Sequence, residues 1–332
     1  MSNSAYISTE DKPLSIYLHW NGGLDSVIPF LRYVELQGYP SLEHSGAGYA
    51  RLCQAIGNYM GGTCNIGLKA KAEARPDHGT YLVKGWKVHK TTSNSFCDMD
   101  CLQEGIEHLD KRQPKHMKLG DALEDEQYVI PRNVDETLTD QLFKVIHPSR
   151  NLAICFDGGD DIDTLVALVK YCEILHHHPF HIDSYGCARF CQVVGNYIGP
   201  ERTLFVKNID YTDNLGARTY MVRGWNLIPD VPHDEAKIKQ LLKKIDAAQP
   251  EALQLGDFLD SVNVASASLK IGDEVYKFHS SGKYSKAKVI GIGVAQTVNG
   301  TNVKGMPYID LYPSGSDNIN NYITTATAQK AV

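Results

Sequence analysis

Apolar and polar positions recur along this chain with periods that switch between two and three to four, and the switches mark out its elements. Ile16, Tyr17 and Leu18 predict a short strand that Gly22–Gly23 breaks. Val27, Ile28, Leu31 and Val34 then recur on one side of a helix, with Pro29 in its first turn, where a missing N–H costs little. A second helix runs from Gly48 to Met60. It carries Tyr49, Leu52, Cys53, Ile56 and Met60 at helical spacing and stops at Gly61–Gly62. Cys64, Ile66, Leu68 and Ala70 alternate with Asn65, Gly67 and Lys69, the pattern of a half-buried strand. A turn over Arg75-Pro76-Asp77-His78-Gly79, a strand from Tyr81 to Val88 and a helix around Cys97 to Asp110 follow.

The same series then returns. GYARLCQAIGNYMGG (Gly48–Gly62) matches GCARFCQVVGNYIGP (Gly186–Pro200), and YLVKGWKV (Tyr81–Val88) matches YMVRGWNL (Tyr220–Leu227). QPKHMKLGDAL (Gln113–Leu123) matches QPEALQLGDFL (Gln249–Leu259), and the opening strand and corner reappear from Leu152, with Gly158–Gly159 set against Gly22–Gly23. Three matched blocks in one order predict a tandem duplication of an α+β unit of about 110 residues. The expected divisions are a disordered N-terminus (1–14), a first α+β repeat (15–125), a linker (126–150) with a helix from Asp135 to Ile146, and a second repeat (151–262). The two repeats are expected to pack as a pseudo-twofold pair. Beyond them the pattern turns to short strands, over Leu269–Tyr276, Ala287–Ile292 and Met306–Leu311, with Gly and Asn turns. This predicts a small all-β SH3-like barrel over 266–323 and a flexible tail over 324–332. The expected fold class is therefore α+β: a tandem duplication followed by that barrel.

Composition narrows the function classes. A chain of 332 residues has room for two or three domains, and 42% hydrophobic with 22% charged content is ordinary for a soluble globular protein. A net charge of −6 neither predicts nucleic-acid binding by the whole chain nor marks it as a DNA mimic. The opening MSNSAYISTEDKP lacks the basic-then-apolar order of a secretory signal, and no run reaches the ~18 apolar residues of a membrane helix. The eight cysteines sit mostly inside periodic apolar segments, so reduced thiols and a cytoplasmic location are expected, with no membrane association.

Candidate chemistry concentrates in two places. Arg51, Gln54 and Asn58 recur as Arg189, Gln192 and Asn196, and spacings of three and four put each trio on one helical stripe facing away from the apolar one. That stripe is either a polar ligand-binding surface used twice or a set of side chains tying the helix to neighbouring backbone. The corner His19-Trp20-Asn21-Gly22-Gly23, with Asp25 behind it, leads into a helix N-terminus, where free N–H groups and the helix dipole favour an anion. Trp86 and Trp225 are expected as core or sheet anchors. In the barrel, Lys277, Tyr284, Lys286 and Lys288 suggest an aromatic-basic surface for a partner, nucleic acid among them. Cys97-x3-Cys101 and Cys187-x3-Cys191 have helical rather than zinc-loop spacing, and the histidines from His176 to His181 read as a solvated loop, so no metal is expected. No catalytic arrangement stands out by spacing, and no cofactor is expected.

Two resemblances attach to the first corner. NGGLDS (Asn21–Ser26) after a strand looks like the SGGxDS loop of the ATP pyrophosphatase family, which holds pyrophosphate while ATP adenylates a substrate, within a parallel βαβ sheet. Asn21 stands where that family has its phosphate-contacting serine. Tyr17-x-His19-Trp20-Asn21-Gly22 resembles the opening of uncharacterised phage, plasmid and bacterial proteins that begin Y-x-H-W-[ND]-G. This second resemblance implies a mobile-element protein acting on host or element machinery and carries over no catalytic residue. The expectation is a non-catalytic binding protein engaging a macromolecular partner, a protein foremost, as a modulator or inhibitor of a host system. Binding or sequestering of a small anionic ligand such as a nucleotide is the alternative, and an adenylating enzyme built on NGGLDS is a third reading.

Overall fold

The computed structural model describes residues 3–70, 79–92, 100–123, 129–130, 132, 134–147, 152–175, 177–178, 184–209, 215–223, 225–228, 231–261, 274–278, 284–298 and 301–312. It is a mixed α+β structure with seven helices among these residues. The chain forms two compact units, one of Met1–Cys172 with His177–Gly256, the other of Glu173–His176 with Asp257–Val332.

The first unit contains two mixed sheets. Its first half runs β1 (Ala5–Ser8), β2 (Leu14–Leu18), α1 (Leu24–Leu36), α2 (Gly46–Met60), β3 (Ile66–Ala70), β4 (Thr80–Lys84), β5 (Lys87–Thr91) and α3 (Asp100–Lys111). The second half runs β6 (Phe143–His147), β7 (Leu152–Phe156), α4 (Ile162–Ile174), α5 (Ser184–Ile198), β8 (Leu204–Asn208), β9 (Thr219–Arg223), β10 (Asn226–Ile228) and α6 (Glu235–Ala247). The strands lie in the order β3-β2-β1-β4-β5 in one sheet and β8-β7-β6-β9-β10 in the other. In each, one pair is parallel, β1 with β4 and β6 with β9, and the remaining pairs are antiparallel.

Three expectations are corrected here. Residues 1–14, expected to be disordered, carry β1, the middle strand of the first sheet. All four residues of β1 are buried, so the segment shows no alternation between faces. The expected helix from Asp135 to Ile146 is instead irregular backbone and a turn leading into β6, the middle strand of the second sheet. Val134, Leu138, Leu142 and Ile146 fall four apart by coincidence, and they pack from irregular backbone and a strand around Ala47, Ala153, Cys155 and Phe205.

The third correction concerns the corners. His19 N donates to Asn65 O, and Asp157 N donates to Thr203 O, at 2.9 and 3.0 Å, at the same point of each sheet. His19 therefore stands opposite Asp157, Trp20 opposite Gly158, and Asn21 (φ 55°) opposite Gly159 (φ 77°). The two Gly-Gly pairs are not at matching positions. What the corners share is a left-handed residue ahead of the helix, a conformation that glycine adopts freely and asparagine tolerates.

Matched side chains fix each half in the same way. Tyr33 hydroxyl donates to Asp110, whose carboxylate also accepts from Leu119 N; Tyr171 and Asp246 repeat this with Leu255 N. The indole N–H groups of Trp86 and Trp225 donate to Tyr39 O and His177 O, both at 3.0 Å, and both rings are buried.

The second unit holds α7 (Phe258–Ser261) and an antiparallel sheet of β11 (Glu274–Phe278), β12 (Tyr284–Val298) and β13 (Thr301–Tyr312), in that order. The expected strand residues Leu269–Ile271, the tail 324–332, the turn residues 75–78 and Cys97 lie outside the described residues.

Candidate functional site

The recurring polar stripe does not face solvent. Arg51, Gln54, Asn58, Arg189, Gln192 and Asn196 are all buried, in a joint where α2 packs on α5. Asn58 and Asn196 exchange amide hydrogen bonds at 2.9 and 2.7 Å, and each also donates to a glutamine of its own half, Gln113 or Gln249, at 2.8 Å. Gln54 donates to Asn196 Oδ1 at 2.9 Å.

The two arginines reach across. Arg51 donates to Gly195 O, Gly199 O and Arg202 O at the end of α5; Arg189 donates to Gly57 O at 2.8 Å and to Gly61 O at the end of α2. Each guanidinium thus occupies the negative C-terminal end of the other half's helix, adding a charged donor there even to Gly57 O and Gly195 O, which already accept from Gly61 N and Gly199 N. Burial lowers both arginine pKa values, that of Arg189 to about 10, so both are charged at neutral pH. Each is held close by the glutamine three residues on, Arg51 to Gln54 at 2.8 Å and Arg189 to Gln192 at 2.6 Å. Two glycines admit this approach. A Cβ at Gly57 would stand 2.8 Å from Gln192 Oε1, and one at Gly195 would stand 2.6 Å from Gln54 Cδ. Of the two readings of the stripe, ties to backbone describe the two arginines, whereas Gln54, Asn58, Gln192 and Asn196 are engaged by other side chains of the joint.

The first corner is different. Gly22 is buried: its N–H donates to Asn3 O, and its carbonyl accepts from the Tyr81 hydroxyl, both at 2.7 Å. Gly23 caps α1 with no side-chain hydrogen bond, and exposed Asp25 leans over it, so an arriving anion would meet a carboxylate. At the second corner Asp161 and Asp163 lie at the start of α4 and bind Lys237, at 2.5 and 3.1 Å. The hydrogen bond from Lys237 holds the Asp161 carboxyl below its usual range.

Trp20 stands out at the tip. It is 44% exposed, one of two large hydrophobic residues so exposed among those described. Its ring meets the edge of His19 at 4.9 Å between centroids, and His19 Nδ1 lies 3.3 Å from the Tyr17 hydroxyl. Tyr17 packs on Tyr6 at 5.2 Å and on Tyr185 of α5 at 6.2 Å, under the Lys69 ammonium at 4.6 Å. Tyr185 in turn meets His178 at 5.6 Å, and His178 Nε2 lies 2.8 Å from Cys64 Sγ. Both halves therefore contribute to one row of rings. At the matching positions of the other half stand Lys144, Cys155, Asp157, Gly158, Ala47, Pro40 and Arg202, and Lys69 alone keeps its type, as Lys207. That side carries the apolar cluster of Ala47 and Cys155 instead.

His177 and His178, expected in a solvated loop, are buried and half-buried. Residue pattern points to His19, Trp20 and Asn21 and, through the Y-x-H-W signature, to Tyr17, but not to Lys69, Cys64 or Tyr185. Only the packing of α5 against β3 brings these together.

A third feature lies across the joint. A cleft of about 660 Å³ is lined by Lys111, Arg112, Lys115, His116 and Lys118 from one half, facing Glu251, Gln254 and Pro250 from the other. In the second unit, the strand register pairs Tyr284 with Phe278, Lys286 with Tyr276, Lys288 with Glu274 and Lys277 with Ser285.

Among the described residues no cluster of three or more potential metal ligands occurs, and no helix is long and apolar enough to cross a membrane. No protein-family model, curated protein or solved structure matches the chain.

Proposed function

We propose that this chain is a binding protein that engages a protein partner through the Trp20 tip. The observation that carries the reading is an exposed indole set on a row of packed rings drawn from both halves, at a point where the other half has glycine. A tryptophan held by its neighbours loses little side-chain entropy on binding and offers a large contact area, which is why tryptophan is enriched among residues that dominate interfaces. In the same reading the two halves descend from a duplicated α+β unit. The buried polar trio is the inherited joint, and the tip is where the first half specialised. The β11–β13 sheet is read as part of an SH3-like barrel. The Y-x-H-W-[ND]-G opening supports a mobile-element protein that modulates a host system in the cytoplasm, and the absence of disulfides among the described cysteines fits that compartment.

Capture from bacterial lysate followed by mass spectrometry tests the reading. A partner enriched by the wild type and lost with Trp20→Ala supports it. Equal enrichment by both proteins refutes the role of the tip.

The small-anion reading has its own support, now away from the Gly-Gly corner. The cleft gathers Lys111, Arg112, Lys115 and Lys118 against Glu251 in a chain whose net charge is −6. A nucleotide that raises the melting temperature, with the rise lost on Lys115→Glu, favours this second reading. The adenylating reading has less behind it, because β2 is antiparallel to both its neighbours and Gly22 N–H is already engaged.

A further inference from the structure

We propose that Cys64 and His178 form a nucleophilic thiol–imidazole pair, a covalent site for a substrate or ligand that presents an electrophilic carbon. The proposal goes beyond the binding reading and does not depend on what Trp20 touches.

The pair exists only because the halves dock. Cys64 lies between α2 and β3 of the first half, and His178 precedes α5 of the second. Their reacting atoms, Sγ and Nε2, are 2.8 Å apart, with Thr63 Oγ1 3.4 Å from the same sulfur. An imidazole at that distance can take the thiol proton, leaving a thiolate beside an imidazolium. A cation near the pair favours the thiolate half of that charge separation. From α5 the Arg189 guanidinium interacts electrostatically with Cys64, and the Tyr185 ring packs on His178. From β2 and β3, Tyr17, His19 and the Lys69 ammonium continue the row, and none of these residues is a carboxylate.

Exposure separates Cys64 from five other cysteines. Cys53, Cys155, Cys172, Cys187 and Cys191 are buried, whereas Cys64 and His178 are only half-buried. Burial pushes the thiols of Cys53, Cys155, Cys172 and Cys191 up, which keeps them protonated and inert. Tyr185 and Tyr17 give an incoming molecule a flat aromatic wall. In the covalent step the thiolate sulfur forms a bond to the electrophilic carbon, the leaving group departs with its electron pair, and the thiol proton stays on His178.

Iodoacetamide tests this on the full-length protein, with the site mapped by peptide mass spectrometry. Its reaction with the thiolate forms a thioether and releases iodide. The pair predicts that Cys64 alkylates before Cys53, Cys155, Cys172, Cys187 and Cys191. At pH 6.5 it should react on the order of tenfold faster than in His178→Ala or His178→Gln, the factor given by one pH unit of thiolate fraction. The wild-type profile decides the matter even if both variants misfold. A rate at Cys64 that climbs only through the ordinary thiol range near pH ~8.5 overturns the proposal, as does a rate unchanged by His178→Gln in folded protein.

Discussion

Replacing Arg189 with methionine tests the joint where the structure concentrates its polar energy. Methionine nearly fills the space of the arginine stem but donates nothing. Gly57 O, Gly61 O and Gln192 Oε1 then lose the guanidinium, although Gly61 N still donates to Gly57 O and Asn65 Nδ2 to Gly61 O. Gln192 can turn. The two carbonyls belong to the backbone and cannot. A hydrogen bond to a charged group contributes about 1.5–3 kcal/mol, so losing the two at these carbonyls costs about 3–6 kcal/mol. Part of this is offset because a guanidinium no longer has to be desolvated, and a net loss of about 3 kcal/mol is expected. Against a typical total of 5–15 kcal/mol, such a loss is readily measured. Urea unfolding of wild type, Arg189→Met, Arg51→Met and the double variant is the assay. Each single variant should lose about 3 kcal/mol, and the double should lose less than the sum, because the first change already opens a shared network. A loss below about 0.5 kcal/mol in either single variant, or strict additivity, would refute the account of the arginines as reciprocal helix caps.

Three other outcomes follow from the same geometry. Gly195→Ala places a methyl against the Gln54 amide and should destabilise by about 1–3 kcal/mol despite the better helix propensity of alanine; a gain in stability would contradict the close approach. Alkaline pH should unfold the protein, because buried Cys53, Cys155, Cys172 and Cys191 have folded pKa values raised by burial, Cys155 to about 12. Stability they permit is fully present below the unfolded thiol value of ~8.5 and is lost as pH rises from there toward the folded values, at about 1.4 kcal/mol per pH unit for each thiol. Cys155→Ala should flatten that slope by one thiol's share, as read by denaturant titrations at several pH values. In the basic cleft, Lys115→Glu with Lys118→Glu should abolish any salt-sensitive thermal shift by nucleotides while leaving the basal melting temperature within a few degrees, and a shift that survives both changes would clear the cleft of that role.

Much of this architecture was legible in residue patterns, and the parts that were not share a physical cause. The α2 and α5 helices announce themselves by period, and their repeated Arg, Gln and Asn pointed to backbone ties as one of two meanings. Spacing alone could not choose between them, because a polar stripe looks the same whether it meets solvent or its own sister. β1 was hidden because Ala5-Tyr6-Ile7-Ser8 is buried on both faces and so has no alternation to read. The segment before β6 imitated a helix through apolar residues four apart. Matching the corners by their Gly-Gly pairs put them two residues out of step, since glycine chemistry follows local backbone need rather than position in the sheet. At the candidate site His19 and Trp20 were visible in the sequence, but Tyr185, His178 and Cys64 were not. They come from the other half or from a loop, and nothing in the order of residues says that α5 lies over β3.

The most direct test of the central claim is quantitative capture with wild type and Trp20→Ala side by side. Trp20 is exposed, so its loss should leave the melting temperature nearly unchanged. A protein enriched reproducibly by the wild type and reduced at least tenfold by the folded Trp20→Ala variant is the result this account predicts. The contradictory result is enrichment that Trp20→Ala leaves intact, or no reproducible partner for either protein.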